Sequence, residues 1–168
     1  MGLPAWLHLA RSLDESGDTA RAYEVLADAA AQGYVRALVA LAQLKWKYGQ
    51  FHEAGEFMAE AERKVTPTDW DAHFAMHLAY AIGVAHGNYE TKQRLAFDHL
   101  VLAARESGDP RMKLSVGSHF WSGLNTVPQD WQAAEQWLAE AAHSGEPDIV
   151  ASYKRFLRAK KKAPHGAA

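Results

Sequence analysis

Three residues that could hold a metal stand close together. Asp69, His73 and His77 recur at i, i+4 and i+8, a spacing that puts one carboxylate and two imidazoles on a single helix face. Such a set would suit zinc, and it defines the alternative reading of the chain, a metal-binding protein or small enzyme using that face. With nine histidines in the sequence, pairs at this spacing arise readily by chance, so the expectation is packed or solvated rings and no metal or other cofactor. His52-Glu53-Ala54-Gly55-Glu56 begins like a zinc-protease helix, but Glu56 stands where the second histidine ligand is required. Glu56 and Glu60 are carboxylates at i, i+4, a pair better explained as the solvated side of an amphipathic helix than as an acid and a base. No Gly-x-Ser-x-Gly elbow, phosphate loop or dinucleotide fingerprint occurs, and there is no cysteine to act as nucleophile or thiolate ligand. The chain is therefore not expected to be an enzyme.

Charge narrows the partners. The formal net charge is -2, which excludes a globally basic nucleic-acid binder. A basic run, Lys154, Arg155, Arg158, Lys160, Lys161 and Lys162, could meet phosphates, but it equally suits a helix C-terminus and a soluble tail, so nucleic acid is not the expected partner. Met1 to Leu9 has no basic segment before its apolar residues, Trp6 stands where N-myristoylation would want Ser or Thr, and no run approaches the roughly 20 apolar residues of a membrane span. These features predict a cytoplasmic protein with no membrane contact. A hydrophobic content of 48% and a charged content of 23% are ordinary for one soluble domain, expected over residues 1–162 with a flexible tail at 163–168.

The elements that would position these residues are helices. Ala, Leu, Glu, Gln, Lys and Arg fill the segments between turns, and strand signals are nearly absent. One phrase, Ala then Leu or Met four residues on and Ala seven on, recurs as Ala22, Leu26, Ala29; Ala54, Met58, Ala61; Ala96, Leu100, Ala103; and Ala134, Leu138, Ala141. Its starts lie roughly 32 to 42 residues apart, the period of stacked two-helix units. Gly17, Gly49, Gly87 and Gly123 precede these helices and Gly33, Gly108 and Gly145 follow them, so the units read helix A, turn, helix B. The predicted helices are 4–15, 19–32, 34–48, 51–64, 69–86, 90–106, 110–122, 130–143 and 147–161, the last capping the open end of the stack.

Residues 96–145 resemble the Sel1-like branch of the tetratricopeptide superfamily. Ala141-Ala142-His143-Ser144-Gly145 fits its helix end, Trp121-Ser122-Gly123 and the long turn 124–130 fit its turn, and Ala29-Ala30-Ala31-Gln32-Gly33 matches again. The chain departs from the pattern at Asn125, which stands near the second turn glycine, and at Ala61-Glu62, which lacks the second Ala. The resemblance implies an all-α right-handed solenoid of about four helix-turn-helix repeats. It also implies an adaptor or regulator that binds a protein on the concave side.

Counting back from each A-helix turn glycine, the eleventh residue (Trp6, Leu38, Met76, Met112) and the eighth (Leu9, Leu41, Ala79, Ser115) are expected to face helix B. Residues thirteen, ten, six, three and two back then line the inner face. That rule selects Arg11, Arg36, Gln43, Trp46, His77, Lys113, Phe120 and Trp121 as a partner-binding groove suited to an acidic or carboxylate-bearing peptide. The competing view is that Trp46, Phe120 and Trp121 pack between successive units and the cations are merely solvated. Self-assembly through an end helix or exposed aromatics is a further option.

Overall fold

The computed structural model describes residues 3–85, 87–124 and 126–163. Within them nine α-helices follow one another: α1 (Ala5–Glu15), α2 (Thr19–Ala31), α3 (Val35–Lys47), α4 (Phe51–Lys64), α5 (Trp70–Ala81), α6 (Tyr89–Ser107), α7 (Pro110–Ser122), α8 (Trp131–Ala142) and α9 (Pro147–Lys162). No strand occurs among the described residues.

Four antiparallel pairs, α1 with α2, α3 with α4, α5 with α6 and α7 with α8, make the closest packing, and α9 lies against α8 and α7. Neighbouring units meet through α2 on α3, α3 on α5 and α6 on α7. Each contact joins elements near in sequence, which is the quasi-one-dimensional order of a helical solenoid. The core is divided in the same way. Leu7, Ala10, Leu26 and Leu41 form one cluster, Leu38, Val39, Met58, Met76 and Val84 a second, Leu100, Ala103, Met112 and Val116 a third, and Ala134, Leu138 and Phe156 the last.

All twelve residues of the repeated Ala-Leu-Ala phrase are buried, none more than 3% exposed. Alanine at its two ends lets helix B approach helix A closely, while the central Leu or Met fills the space between them. Asp18, Asp69, Asn88, Asp109 and Asp130 accept backbone N–H bonds at the starts of α2, α5, α6, α7 and α8, so five helices begin at a side-chain cap.

One helix end differs from its predicted place. Helix α5 stops at Ala81 instead of running to 86, because Gly83 takes φ of 92° and closes the last turn. Its N–H donates to the Tyr80 carbonyl, and that of Val84 donates to Ala79. The same pair of bonds closes α1 at Gly17 and α3 at Gly49, so Gly83 is the turn glycine of the third unit. Gly87 lies six residues beyond the end of the helix, just ahead of the α6 cap. The other boundaries agree with the predicted ones to within one residue.

Ala163 follows α9 directly, and the rest of the expected tail lies outside the described residues. Asn125 does too. Beside it, Thr126 takes φ of 70°, the left-handed conformation that a turn glycine would otherwise supply.

Candidate interaction site

Recounting from Gly83 aligns the A helices. Thirteen residues before Gly17, Gly49, Gly83 and Gly123 stand Pro4, Arg36, Trp70 and Pro110, and all four line one cleft of about 680 Å³. The N-terminal ends of α3, α5 and α7 form its walls, with Asp71, Phe74, Asp109 and Met112 completing them. The cleft thus crosses several units along one edge of the stack. Trp70 and Phe74 are half-buried against the α6–α7 core and leave part of each ring toward the cleft. Arg36 and Asp71 form a half-buried ion pair that ties α3 to α5 across the unit boundary. No histidine lines the cleft, and the one hydroxyl there, Ser107, is engaged with Met112 Sδ and the Asp109 N–H. The site offers apolar and aromatic surface with an ion pair, which can hold a chain segment.

The eight residues chosen from the sequence do not converge on this cleft. Arg36 alone lines it. Arg11 and Gln43, both six back from a turn glycine, share a smaller groove of about 150 Å³ between α1, α2 and α3. Trp46 is half-buried, with Phe51 edge-on at 4.6 Å and Lys92 Nζ 5.7 Å above its ring. Phe120 meets Phe97 edge-on at 5.2 Å, and Trp121 meets Phe156 at 5.5 Å, so each aromatic bridges neighbouring units while remaining partly open. Lys113 Nζ pairs with Glu140 at 3.1 Å. The inner-face rule misplaces other positions. The tenth-back residues Leu7 and Val39 are buried, whereas Leu9, expected to face helix B, is 52% exposed. The residue seven back is the one buried in every A helix: Ala10, Ala42, Met76 and Val116. Counting the third unit from Gly87 puts Phe74 at the thirteenth position back, where Gly83 puts Trp70, and Asp71, twelve back from Gly83, falls outside the rule.

Asp69, His73 and His77 are spent on the fold itself. The Asp69 side chain accepts from Ala72 N and caps α5, and His77 Nδ1–H donates to the Ala96 carbonyl at 2.8 Å. His73 Nε2–H donates to the Thr66 carbonyl at 3.1 Å, and its Nδ1 lies 2.8 Å from Nδ1 of His99. His99 Nε2–H in turn donates to Glu62 Oε1 at 2.8 Å, and the same oxygen accepts from the Tyr80 hydroxyl at 2.6 Å. The two rings are buried, 3% and 5% exposed. Among the described residues no group of three His, Asp or Glu side chains could hold a metal ion.

This chain of bonds has acceptors at both ends, the Thr66 carbonyl and the Glu62 carboxylate. Its three links therefore need three protons on four ring nitrogens, one more than two neutral imidazoles carry. Burial pushes the Glu62 carboxyl up, but the bonds from His99 and Tyr80 outweigh it and hold it below the usual range. Burial, then the neighbouring His99, lowers His73, and burial, then Glu62, raises Tyr80.

No helix among the described residues is long and apolar enough to cross a membrane. No protein-family model matches the sequence, and no curated protein does. The chain aligns with the crystal structure of a Sel1 repeat protein from Oxalobacter formigenes at 18% identity and a TM-score of 0.38, over 94% of this chain and 61% of that one. It thus spans about three fifths of that protein.

Proposed function

We propose that this chain is a non-catalytic interaction scaffold that holds a segment of a partner protein across the stack. The observation that carries this reading is the cleft formed by equivalent positions of successive units, Pro4, Arg36, Trp70 and Pro110, with Phe74 beside them. A rigid surface built by stacking is already in its binding shape, so the ordering cost of association falls mainly on the partner. Half-buried Trp and Arg are the side chains that most often concentrate binding energy. The aromatics at Trp46, Phe120 and Trp121 would then serve mainly to fix the relation of one unit to the next, His77 and Lys113 to tie the two helices of a unit together, and only the open edges of the rings, with Arg11 and Gln43, would extend the contact.

The test is affinity capture from the native host with wild-type protein and a Phe74→Ala, Trp70→Ser variant, each checked for an unchanged helical spectrum at the capture temperature. A partner retained by the wild type and lost by the folded variant supports the cleft. The same partners captured by both would place binding elsewhere and overturn the reading.

A further inference from the structure

The outer face of α9 is unlike any other charged surface of the molecule. After Asp148 the sequence carries six cations and no acid, although the whole chain has a net charge of -2. Lys160 pairs with Glu135 at 2.7 Å, and the acids at the start of α9, Glu146 and Asp148, are both taken by Arg111. Lys154, Arg155, Arg158, Lys161 and Lys162 are exposed and make no ion pair among the described residues. At about 100° per residue these five fall within an arc of about 120°, on a strip about 12 Å long. The opposite side of the helix, with Ile149 and Phe156 fully buried, is turned into the stack.

Neither of the ordinary reasons for a basic helix end covers this strip. Attraction to the helix dipole fades within the last turn, so it reaches Lys161 and Lys162 but not Lys154 or Arg155. Solubility needs net charge of either sign, not like charges three and four residues apart, which repel one another along a helix. An acidic group laid along the strip would relieve that repulsion. The length of the strip and the charge around it select the occupant. The remainder of the chain is net negative, so a long polyanion or an extended anionic plane that continues past α9 meets repulsion, whereas a segment about as long as the strip does not. A lipid surface would also gain no insertion, because the apolar side of α9 is already used.

We propose that the outer face of α9 is a docking surface for a short acidic segment of a partner protein, recognised through Lys154, Arg158 and Lys161. This surface is separate from the cleft and stands whether or not the cleft binds.

The experiment uses the full chain and a fluorescein-labelled dodecapeptide of alternating Glu and Ala, with anisotropy read at 50, 150 and 300 mM NaCl. Comparison probes are a 20-nucleotide single strand, a 20-base-pair duplex and phosphatidylserine-containing vesicles. Binding of the peptide is expected to weaken at least tenfold across the salt range. It should fall at least tenfold in K154E/R158E/K161E and at least threefold in the neutral K154Q/R158Q/K161Q. The control R21E/R63E/R94E, with the same change in net charge, should shift it less than threefold. No peptide binding at 50 mM salt, equal weakening in the control and α9 variants, or binding of nucleic acid or vesicles as tight as that of the peptide would each overturn the proposal. The neutral variant decides the matter if charge reversal unfolds α9.

Discussion

At the scale of single residues, the most consequential arrangement is the buried line from Thr66 through His73 and His99 to Glu62 and Tyr80. Two of its groups, Glu62 and His73, make stability depend on pH. Glu62 is held below the ordinary carboxylate value of 4.5, so its contribution is present above that pH and is lost as pH falls through the folded-state value. His73 is depressed below 6.5, so folding favours its neutral form, and protonation of the unfolded chain draws stability away as pH drops below 6.5. Both act in the same direction. Denaturant titrations are expected to show stability declining from about pH 6.5 downward, more steeply below 4.5, and a His73→Gln variant should flatten the upper part of that decline. Glu62→Ala leaves the His99 N–H and the Tyr80 hydroxyl without their acceptor. With the Glu62 side chain 34% exposed, the cost is expected at about 2–3 kcal/mol, below the range for a fully buried pair. Equal stability of Glu62→Ala and wild type at pH 7 would show that water replaces the carboxylate without loss.

At the scale of elements, two glycines set how helices end and how closely they pass. Gly83 ends α5 with positive φ, and Gly83→Ala is expected to cost about 1–2 kcal/mol for a left-handed alanine, measurable as a fall in melting temperature. Gly117 acts differently, since it lies within α7 in ordinary helical conformation. A Cβ there would sit 2.7 Å from Leu138 Cγ and 3.2 Å from the Leu138 backbone N, so α7 and α8 can meet at this distance only without a side chain. Alanine favours a helix interior by about 1 kcal/mol over glycine, but the clash with backbone opposes it. Gly117→Ala is therefore expected to destabilise by about 1–3 kcal/mol, the usual cost of overpacking. A rise in stability would mean that α8 shifts freely.

At the scale of the whole molecule, stability is expected to be a sum over neighbouring units, because the core is a row of small clusters and the main helix packing among the described residues joins elements near in sequence. Loss at one end should then be felt locally first. Phe156 is fully buried where Trp121, Trp131 and Tyr153 converge, and Phe156→Ala is expected to cost about 3–5 kcal/mol. Hydrogen exchange should speed up in α8 and α9 well before α3 and α4. Uniform loss of protection along the chain would show a single cooperative unit instead. The same linear order explains why a cleft can run across several units. Each A helix brings its N-terminal end to the same edge, and Arg36 and Asp71 lock one such end to the next.

The sequence by itself determined the number, order and type of the helices and their pairing. Those follow from local causes: twelve Ala, Leu and Met positions at helical spacing, Asp and Asn at helix starts and glycines at helix ends. It did not determine which of two glycines stops α5. Gly83 and Gly87 both end an apolar run, and the choice rests on how α5 packs between α3 and α6, buried on both sides with Ala72, Met76, Ala79 and Tyr80. That four-residue slip put Phe74 where Trp70 belongs, thirteen back from the turn glycine. Tertiary structure also decided the fate of His73 and His77, whose spacing suits a metal but whose nitrogens meet Thr66, His99 and Ala96. Periodicity reports which side of a helix is apolar. Only packing reports which neighbour arrives there, and a polar side chain takes its role from that neighbour.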